Sequence, residues 1–414
     1  MSAHRIPEPS DVHVPFGKRL QNVRTRRGMT REVLAGLVGR SPSWVKAIET
    51  GRLATPKLSI LLRLAEALRV RDLAELTGDQ SVPVELFTGP GHEALPSVRT
   101  AVNAFVVSQD RAAPPVAHLR ARLAQAWAAR HSAPDHRRVL GRLLPDLIAD
   151  AQATARHAVD GPQRRAAQAT LSEVYALSQF FLAYQPAQDL LWRTLERGVA
   201  AAAESEDAHA IGVAAWLAAQ AHRDAGDWDA ADAVTHQTLG FLKPLAAEAS
   251  DHVLAIWGAL HFEAAYTAAR RGEIGTAWHY WDTADRVSQR LPEGYYHPVT
   301  SFSRAVMGAH ATTVAVELRK GGEGVRQASA AEADVIPSRP RRARHRIEQA
   351  RAYHLDGQAD AALATLAGAH AAAPETITYN GYARRIILEE LEAPEARRRE
   401  RATELAEKVG MLPS

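Results

Sequence analysis

The sequence predicts an all-α protein in two parts, a small N-terminal module of five helices and a long array of paired helices. Apolar residues recur three and four positions apart through most of the chain, and alternating strand patterns are almost absent. Glycine also recurs at the boundaries of the predicted C-terminal helices. We therefore divide the chain into a flexible arm (1–15), the module (16–76), a linker with room for one helix (77–115) and the array (116–414).

The composition narrows the class of protein. Cysteine is absent, which excludes disulfides, thiolate metal sites and cysteine nucleophiles and fits the cytoplasm. There is no signal-peptide pattern and no run of about 18 apolar residues, so we expect no contact with a membrane. The module holds 13 Lys and Arg against 5 Asp and Glu, a net charge of +8 in a chain whose total is +3. Such a basic module is typical of nucleic-acid binding, and the alternative is a solvated basic face.

The first two helices of the module follow from apolar spacing and from stop and cap signals. The first carries apolar residues four and three positions apart from Phe16 onward, and Gly28 ends it. Thr30 is a suitable N-cap for the second helix, which we expect to place Leu34 and Leu37 on its inner face.

The third helix follows a tight turn. Gly39 can adopt the positive φ that the turn requires, Ser41 is an N-cap residue type, and Pro42 fits the first helical position. Val45 and Ile48 are expected to anchor the helix to the core. Two helices joined by a short turn that contains glycine form a helix-turn-helix. Residues 58–68 and 71–76 are predicted to be the fourth and fifth helices.

The module resembles the Xre/Cro family of phage and bacterial repressor domains. The resemblance rests on GKRLQNVRTRRGMTREVLAGLVGRSPSWVKAIETGR and the following LLRLAEAL, within residues 16–76. It implies a lambda-repressor-like domain that binds double-stranded DNA as a homodimer, with the third helix in the major groove. The positions that it assigns to DNA binding are Thr30, Arg31, Arg40, Ser41, Pro42, Ser43, Lys46, Ala47, Thr50 and Arg52.

The resemblance gives several of these positions a role. Arg31 stands where the family has a glutamine that bridges phosphate and base, and Thr50 and Arg52 stand where the family holds the DNA backbone. Arg40 replaces an aliphatic residue. Because burying an unpaired arginine is costly, we expect Arg40 to point into solvent.

Base reading by the third helix is expected to be modest. Pro42 and Ala47 offer no hydrogen bonds, which leaves Ser43 and Lys46 as donors beside Arg31. Lysine and arginine favour the guanine edge, so we expect a preference for guanine. Trp44 either packs at the edge of the core or lies against the sugar-phosphate backbone.

The C-terminal part resembles tetratricopeptide repeats, which implies an α-solenoid with a concave surface. The best match is ARAYHLDGQADAALATLAGAHAAAPE at residues 350–375. Helix boundaries are predicted at Gly226, Gly272, Gly322 and Gly357, and the register before residue 226 stays open.

Aromatic residues crowd one region of the array. Trp257, Tyr266, Trp278 and Trp281 are candidate ligand-binding residues, and the alternative is ordinary packing between helices. Tetratricopeptide domains bind peptides or proteins, so the resemblance favours a peptide effector, with a small molecule also open.

Signatures of catalysis are missing from the sequence. We find no zinc-protease, phosphate-loop, nucleophile-elbow or dinucleotide motif, so we expect neither an enzyme nor a cofactor. His118, His131 and His136 are not at metal-ligand spacing, so we expect no metal site.

The two parts together resemble bacterial transcriptional regulators whose repeats bind a signal that alters DNA binding. One alternative is a scaffold whose repeats dock a protein while the module only tethers the complex to DNA. A more distant one is an enzyme with a divergent pocket.

Overall fold

The computed structural model describes residues 15–53, 56, 58–68, 70, 73–77, 91–104 and 111–412. Most of these residues are helical, and no strand occurs among them. The chain divides into two compact units, residues 1–90 with 410–414 and residues 91–409. Almost all of the predicted arm (1–15) lies outside the described residues, as do 78–90 and 105–110 of the predicted linker.

Five helices of the N-terminal module are described. They are α1 (Phe16–Arg26), α2 (Arg31–Val38), α3 (Pro42–Glu49), α4 (Leu58–Ala67) and α5 (Ala74–Thr77). The fifth was predicted from residue 71, which lies outside the described residues.

The cap and turn signals of the module are confirmed. The Val33 N–H donates to the Thr30 hydroxyl at 3.3 Å, and the Trp44 N–H donates to the Ser41 hydroxyl at 3.2 Å. Gly39 ends α2 with a φ of +66°. Local hydrogen bonds therefore fix where α2 and α3 begin.

A single apolar core holds the module together. Val45 and Ile48 of α3 are buried in it, as predicted. The prediction for Leu37 is wrong: its side chain is 40% exposed, and Val38 is buried instead. The inner face of α2 thus runs from Leu34 to Val38, four positions apart, which is one helical turn.

Helices α1 and α3 meet at backbone contact. A Cβ atom at Gly17 would lie 2.1 Å from the carbonyl oxygen of Ile48 and 2.9 Å from that of Glu49. Only glycine leaves room for this crossing, which sets the position of α3 relative to the rest of the module.

The second unit begins with a single helix and continues with helix pairs. The single helix is α6 (Leu95–Asn103). The pairs are α7 (Val116–Ser132) with α8 (His136–His157), α9 (Gly161–Leu182) with α10 (Gln188–Ser205), α11 (Ala208–Asp224) with α12 (Trp228–Leu242), α13 (Asp251–Arg271) with α14 (Ile274–Ser288), α15 (Met307–Glu317) with α16 (Gly321–Ala330), and α17 (Arg339–Leu355) with α18 (Ala359–Ala372). Three more helices follow, α19 (Pro374–Thr378), α20 (Gly381–Leu391) and α21 (Ala396–Lys408).

The pairs stack as a helical repeat. The two helices of each pair pack together, and from α9 to α17 the first helix of each pair also packs on the first helix of the next. A single pair cannot bury its own apolar face, so the stack provides the core. Helix α6 joins this core through Val98 and Val102, both fully buried. None of the described helices combines the length and apolar composition needed to cross a membrane.

A shared turn joins the two helices in four of the pairs. Gly226, Gly272 and Gly357 have φ angles of +82°, +81° and +79°, each two residues before the second helix begins. The predicted boundary at Gly322 falls one residue inside α16, which begins at Gly321. The equivalent turn residue is Arg319, with a φ of +59°. A glycine search misses it because arginine here adopts the left-handed conformation that usually favours glycine.

The array curves so that its first pair of helices contacts the last pair. Helix α7 packs on α17, far away in sequence. One ring nitrogen of His131 lies 2.9 Å from the Ser338 hydroxyl, and the other lies 2.9 Å from the Pro298 carbonyl oxygen. Ser338 caps α17 by accepting a hydrogen bond from the Arg341 N–H. We call this contact between α7 and α17 the seam.

Candidate functional sites

The N-terminal half of α3 forms an exposed surface on the module. Ser41, Pro42, Ser43 and Lys46 are exposed, and Ala47 is half-buried. The Ser41 and Ser43 hydroxyls are 2.8 Å apart, so one donates to the other. The candidate residues of α3 therefore share one solvent-facing surface, while Val45 and the residues around it pack inward.

Cationic side chains that form no ion pair with a described residue surround this surface. The side chains of Arg40, Lys46 and Arg52 are exposed and form no hydrogen bond or ion pair with any residue that the structure describes. Thr50 is also exposed, and its hydroxyl donates to the Lys46 carbonyl oxygen at 2.8 Å. Unpaired cations at the start and end of a short helix are suited to phosphate contacts.

Arg40 points into solvent, as expected, and has a specific neighbour. Its guanidinium lies 5.7 Å from the ring centroid of Trp44. The Trp44 ring is half-buried against the core, which favours packing at the core edge over a purely external position. A cation beside an aromatic face gains about 0.5–1 kcal/mol at an exposed site.

Arg31 is less free than its sequence position suggests. Its Nε donates to Glu49 Oε2 at 2.6 Å, and its side chain remains 34% exposed. Arg24, which is buried, donates from Nε to the other oxygen of Glu49 at 2.6 Å and from a terminal nitrogen to the Met29 carbonyl oxygen. This brace, made of Arg24, Arg31 and Glu49, ties α1 and α2 to the end of α3.

The brace also sets the protonation of Glu49. Burial alone would raise the pKa of Glu49, but hydrogen bonds from Arg24 and Arg31 outweigh burial and hold the pKa below its ordinary value. Sequence reasoning missed Arg24 and Glu49, which lie 25 positions apart. The only sequence signal was an acidic residue at the end of a basic amphipathic segment.

In the second unit, residues 91–409, which we call the helical body, the four candidate aromatic residues fall into two groups. Trp257, Trp278 and Trp281 are half-buried at the edge of the core. Trp278 and Trp281 are in contact, with ring centroids 5.7 Å apart, and the Trp281 indole donates to the Met307 carbonyl oxygen. Tyr266 is buried and contacts charged residues, and no ring contact joins it to the tryptophans within the described part of the chain.

Tyr266 belongs to a set of charged and phenolic side chains that lie on the first helices of successive pairs and, for Tyr382, on α20. We call it the interior polar cluster, and its members are Arg223, Glu263, Tyr266, Arg270, Glu317, Arg344, Glu348, Arg351 and Tyr382. Arg351 donates to Glu317 at 2.7 Å, and Arg270 lies 3.3 Å from the other oxygen of Glu317. Burial would raise the pKa of Glu317, but Arg351 and Arg270 hold it at about 2.

Near the seam, two guanidiniums lack an ion-pair partner among the described residues. Arg130 is 9% exposed, and Arg341 is half-buried; neither forms an ion pair with a described residue. Arg130 instead lies 4.1 Å from the Phe180 ring centroid. Burial lowers the pKa of Arg130 to about 10, and Arg341 is among the cations that add to this shift. The Tyr296 hydroxyl, buried nearby, has no hydrogen-bond partner in the described structure.

Comparison with known proteins identifies the module. Residues 15–77 match the model of a helix-turn-helix domain family. No curated protein matches the chain. Among solved structures, the chain is similar to PlcR of Bacillus thuringiensis in complex with the peptide PapR7 and DNA, with 12% identity over 85% of this chain and 98% of that chain. The TM-score of 0.31 is too low to support a conclusion from this similarity. The family match and the geometry of α2 and α3 agree: the N-terminal module is a helix-turn-helix domain.

Proposed function

We propose that this chain is a sequence-specific transcriptional regulator of the Xre type that binds double-stranded DNA as a homodimer in the cytoplasm and has no enzymatic activity. The observation that carries the proposal is the exposed N-terminal half of α3, capped by Ser41 and bordered by unpaired cations. A short helix presented in this way fits the major groove, where lysine can read a guanine edge.

The DNA-binding residues divide by chemistry. Ser43 and Lys46 lie on the exposed face of α3 and are assigned to base edges, with Arg31 held in place by Glu49. The remaining candidates, all exposed except the half-buried Ala47, are assigned to phosphates or to close contact with the groove. They are Thr30, Arg40, Ser41, Pro42, Ala47, Thr50 and Arg52.

The helical body is proposed to bind a signal, either a peptide or a small molecule, that changes DNA affinity. Trp257, Trp278 and Trp281 offer half-buried aromatic surface, and Tyr266 lies in the interior polar cluster. The buried Arg130 and the half-buried Arg341 support an anionic group on the signal, because charges withdrawn from water are normally paired and neither forms an ion pair with a described residue. The signal must bind the two states of the dimer with different affinity, or it shifts neither.

Selection of genomic DNA fragments by the purified full chain tests the DNA-binding part. We expect a recurring pair of half-sites about one helical turn apart. Affinity for these sites should exceed that for random DNA by about 10³-fold or more at moderate salt. Binding that depends on salt but not on sequence would support the tether alternative instead.

Native mass spectrometry of the purified chain tests the signal-binding part. We expect a co-purified small molecule or peptide whose loss on Arg341→Gln is greater than on Arg339→Gln, an exposed arginine at the start of the same helix. No adduct in any preparation, or equal loss in the two variants, would contradict this part and leave the DNA-binding part standing.

A further inference from the structure

Three histidines from separate elements converge in the helical body. His209 is the second residue of α11, His252 is the second residue of α13, and His297 lies in the connection that follows α14. One ligand nitrogen from each ring lies within 4.8 Å of the others. The ring centroids are 5.1 Å apart for His209 and His297 and 5.6 Å apart for His209 and His252.

Helix caps and a folded connection set these positions. The Asp207 side chain caps α11, and the Ser250 hydroxyl caps α13, so the two helices begin at defined residues. Because α11 and α13 pack side by side, their first turns bring His209 and His252 together. His297 is fully buried, and its backbone carbonyl accepts a hydrogen bond from the Ser301 N–H at 2.8 Å.

Hydroxyl partners occupy the outer nitrogens of two rings. His252 Nδ1 lies 3.2 Å from the Tyr295 hydroxyl, and His297 Nδ1 lies 3.0 Å from the Thr300 hydroxyl. A hydroxyl or carboxylate at one ring nitrogen orients a histidine so that the other nitrogen can bind a metal. The remaining nitrogen of His297, Nε2, lies 2.9 Å from His209 Nε2.

Two ring nitrogens that face each other at this distance must share either a proton or a cation. The Thr300 N–H donates to His297 Nδ1 at 3.1 Å, so in the metal-free chain His297 carries its proton on Nε2 and donates it to His209. For Nε2 to bind a metal, this proton would move to Nδ1, where the Thr300 hydroxyl would accept it and the Thr300 N–H would give up its hydrogen bond to the ring. The net proton count of the ring does not change.

We propose that His209, His252 and His297 form a binding site for a divalent transition metal of the zinc class, with an open fourth position for water or another ligand. Zinc–nitrogen bonds of 2.0–2.1 Å in a tetrahedron place ligand nitrogens about 3.3 Å apart. The spacing in the cluster, from 2.9 Å up to 4.8 Å, brackets this value. Because His252 is exposed, a small change of its rotamer can bring its nitrogen to this spacing from the other two.

The surroundings favour a cation. Asp207 caps α11 two residues before His209, and Asp251 begins α13 one residue before His252, so acidic residues flank two of the three histidines. The site joins the starts of two neighbouring pairs to the connection after α14, so metal binding should stabilise this part of the array.

Cobalt titration of the tag-free full chain, followed by zinc competition, tests the proposal. We expect one equivalent of Co²⁺ with the visible absorption of four-coordinate cobalt, displaced by Zn²⁺. His252→Ala and His209→Ala should each weaken zinc binding at least tenfold, and Tyr295→Phe should weaken it less. The matched control is His236→Ala, because His236 is also exposed and also contacts a tyrosine hydroxyl, that of Tyr280.

Thermal unfolding with and without Zn²⁺ gives a second readout. The unfolding temperature of the wild type and of His236→Ala should rise with zinc, whereas that of His209→Ala should not. Absence of saturable binding in the wild type would overturn the proposal. Equal zinc affinity in the wild type, His209→Ala and His252→Ala would overturn it too, because the metal would then be held elsewhere.

Discussion

The module and the helical body each bury a glutamate between two arginines. In the module, Glu49 accepts from Arg24 and Arg31, and in the body Glu317 is paired with Arg270 and Arg351. In both places the arginines hold the pKa of the glutamate below its ordinary value against the opposing effect of burial.

The surplus positive charge lies in different places in the two units. In the module, Arg31 is 34% exposed, and further unpaired cations lie on the surface around α3. In the body, the guanidinium of Arg130 is buried without an acid to balance it. The unpaired cations of the module therefore lie on its surface, whereas that of the body lies in its interior.

The largest expected effect comes from removing the acid of the brace. Glu49→Gln leaves Arg24 and Arg31 without a counter-ion and should lower the free energy of unfolding of the module by about 3–5 kcal/mol. Hydrogen exchange of the amides of the module, in the full chain, measures this loss of unfolding free energy. Glu32→Gln, at an exposed position, is the control and should change the protection much less. Equal protection in the two variants would show that the brace contributes little.

Acid should weaken the corresponding pair in the body. The pKa of Glu317 is about 2 in the folded chain against an ordinary value of 4.5. Its contribution is therefore complete above the ordinary value and is lost as pH falls toward 2. Urea unfolding of the wild type and Glu317→Gln should differ most near pH 6 and less near about pH 3.5. A difference that stays constant with pH would contradict the pairing.

A smaller effect is expected where α1 crosses α3. Gly17→Ala places a Cβ atom against the Ile48 carbonyl oxygen and should cost about 1–3 kcal/mol of stability and weaken DNA binding, because α3 must move. Gly36→Ala is the matched control, since a Cβ atom there meets nothing within 4 Å. Replacing glycine inside a helix should even stabilise α2 by up to about 1 kcal/mol. Similar unfolding midpoints for both variants would refute the close crossing.

The smallest effect concerns the cap of α3. Ser41→Ala removes the hydrogen bond to the Trp44 N–H and should cost about 1 kcal/mol of stability, while Ser41→Asp should retain most of it. Chemical denaturation of the three proteins gives the comparison. If alanine and aspartate behave alike, the cap does not fix the start of α3.

Local signals in the sequence were enough to predict most of the module. Thr30, Ser41 and Gly39 act through bonds within a few residues, so their roles could be predicted from sequence alone. The inner face of α2 was misjudged at Leu37, because a short helix leaves the apolar direction to tertiary packing.

Contacts between distant residues could not be predicted. Arg31 and Glu49 are 18 positions apart, and His209 and His297 are 88 apart, so neither contact leaves a spacing pattern. The expectation of no metal site considered only histidine spacing along the chain. Arg319 shows the same limit for turns, since nothing local marks an arginine that adopts a positive φ.

Methylation interference at guanine N7 on a selected site tests most directly whether α3 reads bases in the major groove. Methylated guanines in each half-site should block binding of the wild-type chain, and for Lys46→Ala at least one of these positions should lose its effect. Lys18→Ala, an exposed lysine on α1, should keep the wild-type pattern. Identical patterns for all three proteins, or no interference at any guanine, would contradict the account.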